Sequence, residues 1–514
     1  MSRIEKVTKG ASSVTLAVFI SRILGLLREQ VLAYFFGAGR AMDAFVVGYR
    51  IPNLLRDLFA EGALAGAFVK VFTSCTEKET LESSFKKASI LLTNFMLILL
   101  IIVCAGILLA PSLVSLMAPA FKEDPVKFSL TVSLTRIMMP FLLFISLSAI
   151  LAGLLNSLGV FFLPALSSGF FNLSSILIGV LGFYLLSYEG YEPIFAMALG
   201  VTLGGLLQAL MQYPVLKKRG FSFRVQADFG LPEFYEVLRL ILPVVVGFSA
   251  VQINIFINTF FATSCGEGAV SWYSYAFRIM YVPLGLFGVG LSQALLPELT
   301  RNITQGNHSL ARDTYGKALV VSLSLSLPSA LGLWGLSEDI VKVLFERGAF
   351  RPEDTHFTSE VLKVFALALP FYGLTKTATP LFYALNRTII PAGGSFLAVA
   401  MNLTVILLTI KVLGIKGVAL GTTAGLVGQC LFLLGLSFRY LGVPDLKFLG
   451  RGLFTLGIAL LSLYLVIIGI ANVLKDSLLR LLVAIPIGAI TYITICRLFG
   501  PRETYLFYHK LIKR

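Results

Sequence analysis

Long apolar runs recur from one end of this 514-residue chain to the other, and they limit what it can fold into. Each run has about 20 residues, enough for one helix to cross the hydrocarbon core of a bilayer. The runs are continuous and do not alternate, which favours helices over the strands of a membrane barrel. Only 13% of the residues are charged, whereas a soluble protein carries about 25%. The sequence therefore predicts an all-α polytopic membrane protein with about 14 transmembrane helices.

Basic residues are distributed unevenly between the two sides of the predicted membrane. The net charge is +15, and one loop holds Lys217, Lys218, Arg219 and Arg224. When the N-terminus is placed inside, this loop and the basic C-terminal tail also lie inside, as the positive-inside rule requires. We therefore expect both termini in the cytoplasm. Topology and contact with anionic membrane lipids explain the basic excess, so no nucleic-acid partner is expected.

The cysteine and histidine residues form no pattern that indicates a catalytic or metal site. The cysteines are dispersed without CxxC spacing, at Cys75, Cys104, Cys265, Cys430 and Cys496. The histidines are isolated, at His308, His356 and His509. A nucleophile elbow and a phosphate-binding loop are also missing from the sequence. We therefore expect no enzymatic activity, no bound metal and no cofactor.

The chain contains an internal repeat. Arg50 and Arg278 lie in matching segments 228 positions apart, and Asn172 and Asn402 lie in matching segments 230 positions apart. A nearly constant offset across distant segments indicates a duplicated unit of about six helices. An even number of helices gives both copies the same orientation, as in transporters with parallel repeats.

The repeat predicts the domain organisation. We expect an N-terminal lobe at residues 1–219 and a C-terminal lobe at 220–440. Residues 441–514 would hold two additional helices and a cytoplasmic tail. In parallel-repeat transporters the substrate binds near the midplane where the repeats meet, and access alternates between the two sides of the membrane.

Charged residues occur inside the predicted spans, where each costs at least about 2.5–3.5 kcal/mol at the bilayer centre. They are Arg22, Arg28, Glu29, Arg50, Arg56, Asp57, Glu61, Arg278 and Lys376. A chain that accepts this cost repeatedly is expected to line a water-filled cavity with those side chains. Because the set is mainly basic, it predicts an anionic cargo.

Helical spacing groups these residues on faces. In the second span, four polar side chains fall within about 60° of one another, namely Arg50, Asn53, Asp57 and Glu61. Arg56 lies beside that stripe. In the first span, one face holds Arg22, Gly25 and Glu29. Arg28 lies to one side of this face, and Ser21 adds a hydroxyl group.

Each charged residue also has a purely structural interpretation. Arg50 and Arg56 could pair with Asp57 and Glu61 only to hold helices together. Arg28 could extend its side chain to the membrane interface. Lys376 could bind a carbonyl or a distant acid. Arg278 differs, because Phe277 and Tyr281 flank it and no acid lies within one turn.

A phosphate-bearing cargo suits these arginines, since the planar guanidinium makes paired contacts to phosphate oxygens and stays charged. The predicted substrate-binding residues are Arg22, Arg28, Asn53, Arg56 and Arg278. The residues predicted to gate the site or couple it to cations are Glu29, Asp43, Asp57 and Glu61. The remaining candidates for the cavity wall are Ser21, Arg50 and Lys376.

Several segments resemble the MurJ (MviN) family of lipid II flippases, within the multidrug/oligosaccharidyl-lipid/polysaccharide exporter superfamily. The most specific is SRILGLLREQVLAYFFGAGRAMDAFVVGYRIPNLLRDLFAEGALAGAFV at residues 21–69. Residues 135–172 and 271–300 and the segment LFERGAF at 344–350 are also similar. The resemblance extends over all the predicted helices.

The resemblance implies a transporter that moves lipid II, the undecaprenyl-diphosphate-linked precursor of peptidoglycan, across the bacterial inner membrane for cell-wall biogenesis and cell shape. It implies two lobes plus a hydrophobic groove formed by the two C-terminal helices, suited to the lipid tail. The cavity arginines of the family match Arg22, Arg28 and Arg278. Its acid after the first helix matches Asp43, and its arginine and glutamate on the second helix match Arg56 and Glu61. The implied partners are lipid II, membrane lipids and the cell-wall synthesis machinery.

The chain departs from some relatives at three positions. Phe277 and Tyr281 stand where some relatives carry acids beside the arginine that Arg278 matches. Asn258 stands where some carry a carboxylate near a sodium site. The driving force therefore stays open among membrane potential, protons and sodium.

Two alternatives to this function stay open. The chain could export another polyprenyl-linked oligosaccharide or a drug, although a drug exporter that expels cations would need an acidic cavity. It could also be a non-transporting membrane scaffold for cell-wall enzymes. A scaffold would have its interior charges neutralised and would lack a cavity.

Overall fold

The computed structural model describes residues 3–59 and 63–500. Within these ranges the regular structure is helical and no strand occurs, which confirms the all-α prediction. The chain divides into two compact units, Met1–Val270 and Ser271–Arg514.

The first unit begins with a long helix and continues through ten more. The helices are α1 (Arg3–Phe36), α2 (Arg40–Phe59), α3 (Ala63–Lys78), α4 (Leu81–Leu108), α5 (Ala110–Met117), α6 (Pro125–Met138), α7 (Pro140–Ser157), α8 (Phe162–Tyr188), α9 (Ile194–Leu210), α10 (Tyr213–Lys218) and α11 (Pro232–Ala262). Short 3₁₀ turns occupy Pro119–Glu123 and Thr263–Cys265.

The second unit contains most of α12, which begins at the boundary, and the helices that follow it. They are α12 (Ala269–Pro283), α13 (Val289–Thr304), α14 (His308–Gly335), α15 (Ser337–Phe345), α16 (Pro352–Ala384), α17 (Ile389–Leu413), α18 (Ile415–Leu441), α19 (Leu446–Val473) and α20 (Ser477–Phe499). A π-helical turn at Leu284–Gly288 separates α12 from α13.

Ten helical segments of the described residues are long and apolar enough to cross a membrane, and α11 raises the number to eleven when its two halves form one span. These segments do not include α1, α2, α3, α12 or α13. The omitted helices are the ones that carry Arg22, Arg28, Arg50, Arg56 and Arg278. The polytopic membrane class is confirmed, and the total of fourteen spans stays a prediction.

The order of helices repeats along the chain as the sequence predicts. The pairs α4 and α14, α5 and α15, and α6 and α16 each begin 227 positions apart, at Leu81 and His308, Ala110 and Ser337, and Pro125 and Pro352. By this correspondence α11 is the counterpart of α1, yet it belongs to the first compact unit and packs on α2 and α3. The lobe boundaries at residues 219 and 440 stay a prediction.

Local sequence determines where α6 begins and ends. The Asp124 side chain accepts hydrogen bonds from the backbone N–H groups of Val126 and Lys127, at 3.1 and 3.0 Å, which caps the first turn. Pro140 has no N–H to donate, and α6 ends at Met138. This start places Lys127 in the first turn of α6, where it reaches α2.

Candidate functional site

The two arginines of α1 lie in different environments. Arg22 is exposed, and it makes no hydrogen bond or ion pair with the described part of the chain. Arg28 is 9% exposed, donates to Glu29 at 2.9 Å and lies 5.1 Å from the centre of the Phe171 ring. The Nε of Arg28 is buried without a hydrogen-bond partner among the residues described. Glu29 therefore neutralises Arg28, whereas Arg22 is accessible to an anion.

The predicted cavity residue Ser21 lies in a helix contact. It is 7% exposed, and its backbone carbonyl accepts a hydrogen bond from Asn172 on α8 at 3.1 Å. A side-chain carbon added at Gly25 would lie 3.4 Å from the same amide group. The small residues Ser21 and Gly25 thus allow α1 and α8 to pack closely, and a cavity role for the Ser21 hydroxyl stays a prediction.

Asp57 is the centre of the polar stripe on α2. It accepts hydrogen bonds from Arg56 at 3.0 and 2.7 Å and from Asn53 at 3.4 Å. Gln252 on α11 also donates to it at 3.4 Å. The side chains of Arg56 and Asp57 are 22% and 19% exposed, so the pair is only partly shielded from solvent. The stripe therefore links α2 to α11 within the first unit.

Arg50 and Glu61 are the other two predicted members of this stripe. Arg50 is partly buried on α2. Glu61 lies outside the described residues, in the gap between positions 59 and 63.

Asp43, the predicted gating residue, lies in a buried ion pair at the start of α2. Its side chain is fully buried and accepts from the Lys127 ammonium group at 2.8 Å. The same Asp43 oxygen accepts from the backbone N–H of Gly268 at 2.8 Å, and Lys127 lies 4.2 Å from the Phe121 ring centre. Asp43 therefore joins α2, α6 and the loop after α11.

Arg40 makes a second set of contacts in this region. Its guanidinium lies 3.2 Å from Asp124, and its backbone N–H donates to Glu267 at 2.8 Å. Sequence reasoning missed Lys127, because its partner Asp43 lies 84 positions away along the chain. A signal was available in Asp124 and Pro125, since an aspartate followed by proline predicts a helix start that puts Lys127 in the first turn.

In the second unit, Arg278 is accompanied by aromatic rings. It is partly buried on α12, between the exposed Tyr281 and the partly buried Phe277. On α16, Lys376 lies 5.4 Å from the ring centre of Tyr372, which in turn lies 6.4 Å from the ring centre of Tyr281. Arg278 and Lys376 thus lie on helices joined by these aromatic contacts.

A metal site is not evident. Among the described residues, no group of three His, Cys, Asp or Glu side chains is arranged to hold a metal ion. Asn258 on α11 is 4% exposed. The Asn258 amide stands where the family resemblance implies a carboxylate in some relatives.

The fold defines the broad class of the protein. A solved structure described as the inward-facing conformation of a multidrug resistance MATE family transporter of the MOP superfamily matches with a TM-score of 0.67. The match covers 82% of this chain and 95% of the other at 15% identity. The chain is therefore a polytopic helical membrane protein with the fold of MOP superfamily transporters.

Sequence similarity gives the family. The family model described as lipid II flippase MurJ matches residues 32–486. Proteins named probable lipid II flippase MurJ are similar in Rhizobium tropici, with 36% identity over 404 residues covering 78% of this chain and 75% of the relative, and in Bdellovibrio bacteriovorus, with 32% identity over 439 residues covering 85% and 83%. A solved structure titled "Lipid II flippase MurJ, inward closed conformation" matches with a TM-score of 0.79 and 27% identity over 97% of this chain and 99% of the other. The chain belongs to the MurJ family of lipid II flippases.

Proposed function

We propose that this protein binds lipid II through its diphosphate group and carries it from the inner to the outer leaflet of the cytoplasmic membrane by alternating access. Family membership supports lipid II as the cargo, because the relatives carry the name probable lipid II flippase. Arginines on membrane helices would hold the diphosphate. The protein would act in peptidoglycan synthesis as a transporter and not as an enzyme.

The observation that carries the proposal is the environment of Arg22. Arg22 is exposed and has no acidic partner among the described residues, and at membrane depth its charge needs water or an anion around it. A diphosphate suits it, because the guanidinium fork matches two phosphate oxygens. Arg28 would take part differently, because a phosphate must replace Glu29 as its partner or bind the remaining Nε donor. Arg278 is a further candidate cation for a phosphate group.

The acids would serve to open and close the site. Asp43 holds the Gly268 backbone against the start of α2, and we expect this contact to break when access changes sides. Asp57 would position Arg56 and keep α11 attached to α2. Membrane potential, protons and sodium remain the candidate driving forces.

The test is a flipping assay with labelled lipid II in cells depleted of their own flippase. Wild type is compared with Arg22→Ala and Arg278→Ala at equal membrane levels. Arg136→Ala is the matched control, because Arg136 is an exposed arginine on membrane helix α6 that donates to the Ile107 carbonyl at 3.3 Å. We expect at least about tenfold slower flipping in both test variants, as for the loss of one charge-assisted contact, and a normal rate in the control.

Each result has a separate meaning. Normal flipping by Arg22→Ala and Arg278→Ala would remove the arginine site and leave the family assignment intact. Absence of flipping by wild type would point to another cargo or to a scaffold.

A further inference from the structure

A stack of aromatic rings runs along α12 and ends at its accessible face. Tyr273, Phe277 and Tyr281 recur every four residues, so their rings lie on one helical face. The ring centres of Tyr273 and Phe277 are 6.3 Å apart with an interplanar angle of 5°, and those of Phe277 and Tyr281 are 6.0 Å apart at 30°. Burial decreases along the stack from Tyr273, which is 4% exposed, to Tyr281, which is 42% exposed.

The rings at the buried end are held in place. The Tyr273 hydroxyl group shares a 2.9 Å hydrogen bond with Thr422. Phe277 makes an edge contact with Phe365 on α16 at 5.6 Å. The stack is therefore preorganised, and only its last member, Tyr281, presents a large ring surface.

A second ring extends this surface from α16. Tyr372 lies 6.4 Å from Tyr281 at an interplanar angle of 61°, and the Lys376 ammonium group lies 5.4 Å from the Tyr372 ring centre. Three residues along an α-helix rotate the side chain by about 300°, so Arg278 lies within about 60° of Tyr281 around the axis of α12. A cation is unfavourable on a lipid-facing surface, which favours a polar surrounding for the partly buried Arg278 and Lys376 beside these two rings.

We propose that Tyr281 and Tyr372 form a platform for the sugar that is attached directly to the diphosphate of the cargo. A pyranose has C–H groups on one face and hydroxyl groups around its edge. An exposed aromatic face attracts the slightly positive C–H groups because the face of the ring is electronegative. The Tyr281 and Tyr372 hydroxyl groups bond to each other, so the rings supply the apolar contact to the sugar, while Arg278 and Lys376 attract the neighbouring phosphates. This inference rests on the proposed function, and it assigns the recognition of the sugar to the second unit.

The test compares two ligands on the full-length purified protein in lipid nanodiscs. One is a polyprenyl diphosphate without sugar, and the other is the same lipid carrying a disaccharide. Their dissociation constants are measured for wild type, Tyr281→Leu, Tyr281→Phe and Tyr372→Leu. Tyr383→Leu is the control, because Tyr383 is a 47% exposed tyrosine on the same helix as Tyr372.

We expect wild type to prefer the sugar-bearing lipid, and each leucine variant at Tyr281 or Tyr372 to lose on the order of fivefold of that preference. Tyr281→Phe keeps the ring and should keep most of the preference, and Tyr383→Leu should keep all of it. Unchanged binding of the bare lipid shows that a variant is folded. If Tyr281→Leu does not fold, the result from Tyr372→Leu decides.

Two results would overturn the inference while the proposed function stands. One is an unchanged preference in the leucine variants, and the other is an equal loss of affinity for both ligands. Failure of wild type to bind either lipid would overturn the proposed function and the inference with it.

Discussion

Lys127 donates a hydrogen bond to Asp43 across 2.8 Å, and both side chains are buried, with Asp43 fully inaccessible and Lys127 6% exposed. The two residues are 84 positions apart and lie on α2 and α6. Each would be unfavourable alone in this environment, because an unpaired buried charge loses its hydration. The Gly268 N–H supplies a second donor to Asp43 at 2.8 Å. The ion pair therefore makes the position of α6 depend on that of α2 and on the loop after α11.

The first prediction concerns this pair. Lys127→Met should lower the free energy of unfolding by about 3–5 kcal/mol, because Asp43 is left as an uncompensated buried charge. The double variant Asp43→Asn/Lys127→Met should regain most of that stability, since asparagine still accepts from Gly268. Thermal unfolding of the purified protein measures both effects. Lys122→Met is the control, because Lys122 is exposed, and an equally low stability of single and double variants would show that the pair is not coupled.

The second prediction concerns the contact of α17 with α18. A side-chain carbon added at Gly425 would lie 2.6 Å from the Ala398 carbonyl oxygen, which is backbone and cannot move aside. We expect Gly425→Ala to destabilise the protein by about 1–3 kcal/mol through overpacking. Gly435→Ala on the same helix should be neutral or slightly stabilising, since nothing lies within 4 Å of its added carbon. Similar unfolding midpoints for the two variants would contradict the prediction.

The third prediction concerns the segment between α10 and α11. The Asn94 amide donates to the Asp228 carbonyl at 2.7 Å, and its oxygen accepts from the Asp228 N–H at 3.1 Å. Ser89 makes the same kind of double contact with Arg224, at 2.8 Å for each bond. Asn94→Ala removes two bonds and should weaken the attachment of the segment by about 1–3 kcal/mol. Hydrogen exchange of residues 224–228 should become faster, whereas Ser83→Ala should leave it unchanged, because Ser83 bonds locally to Glu79 and Thr80.

The fourth prediction concerns pH. Hydrogen bonds from Lys87 and Ser83 hold the pKa of the Glu79 carboxyl below its ordinary value. A carboxyl group with a lowered pKa in the folded state stabilises the protein above its unfolded pKa, and the effect is lost as the pH falls through the folded value. Glu79→Gln should therefore be less stable than wild type at pH 7. The difference should shrink as the pH falls below about 4.3, the ordinary pKa of a glutamate, and disappear once the pH lies below the folded value.

Unfolding midpoints measured across this pH range check the fourth prediction. Glu77→Gln is the control, because Glu77 is an exposed neighbour. High salt should reduce the difference at pH 7, since the contact is at the surface. A difference that persists unchanged at low pH would exclude the ionised Glu79 as its source.

The candidate site was predictable in its residue types but not in its pairings. Apolar runs interrupted by Arg22, Arg28 and Arg278 identified the unusual helices. Spacing could not show that Glu29 is the hydrogen-bond partner of Arg28, or that Arg22 lies exposed with no such partner among the residues described. Lys127 was not predicted, because its partner Asp43 is distant in sequence and only the packing of α6 on α2 brings them together.

The sequence by itself determined the membrane class, the internal repeat and the family, because each depends on local composition or on matching positions along the chain. The length of an apolar run and the order of repeated residues can be read from the sequence without any knowledge of contacts. Only the tertiary structure decided which charges are neutralised, since pairing energies depend on distance and burial. It also decided that α11, the counterpart of α1 in the repeat, packs in the first compact unit, where Gln252 reaches Asp57.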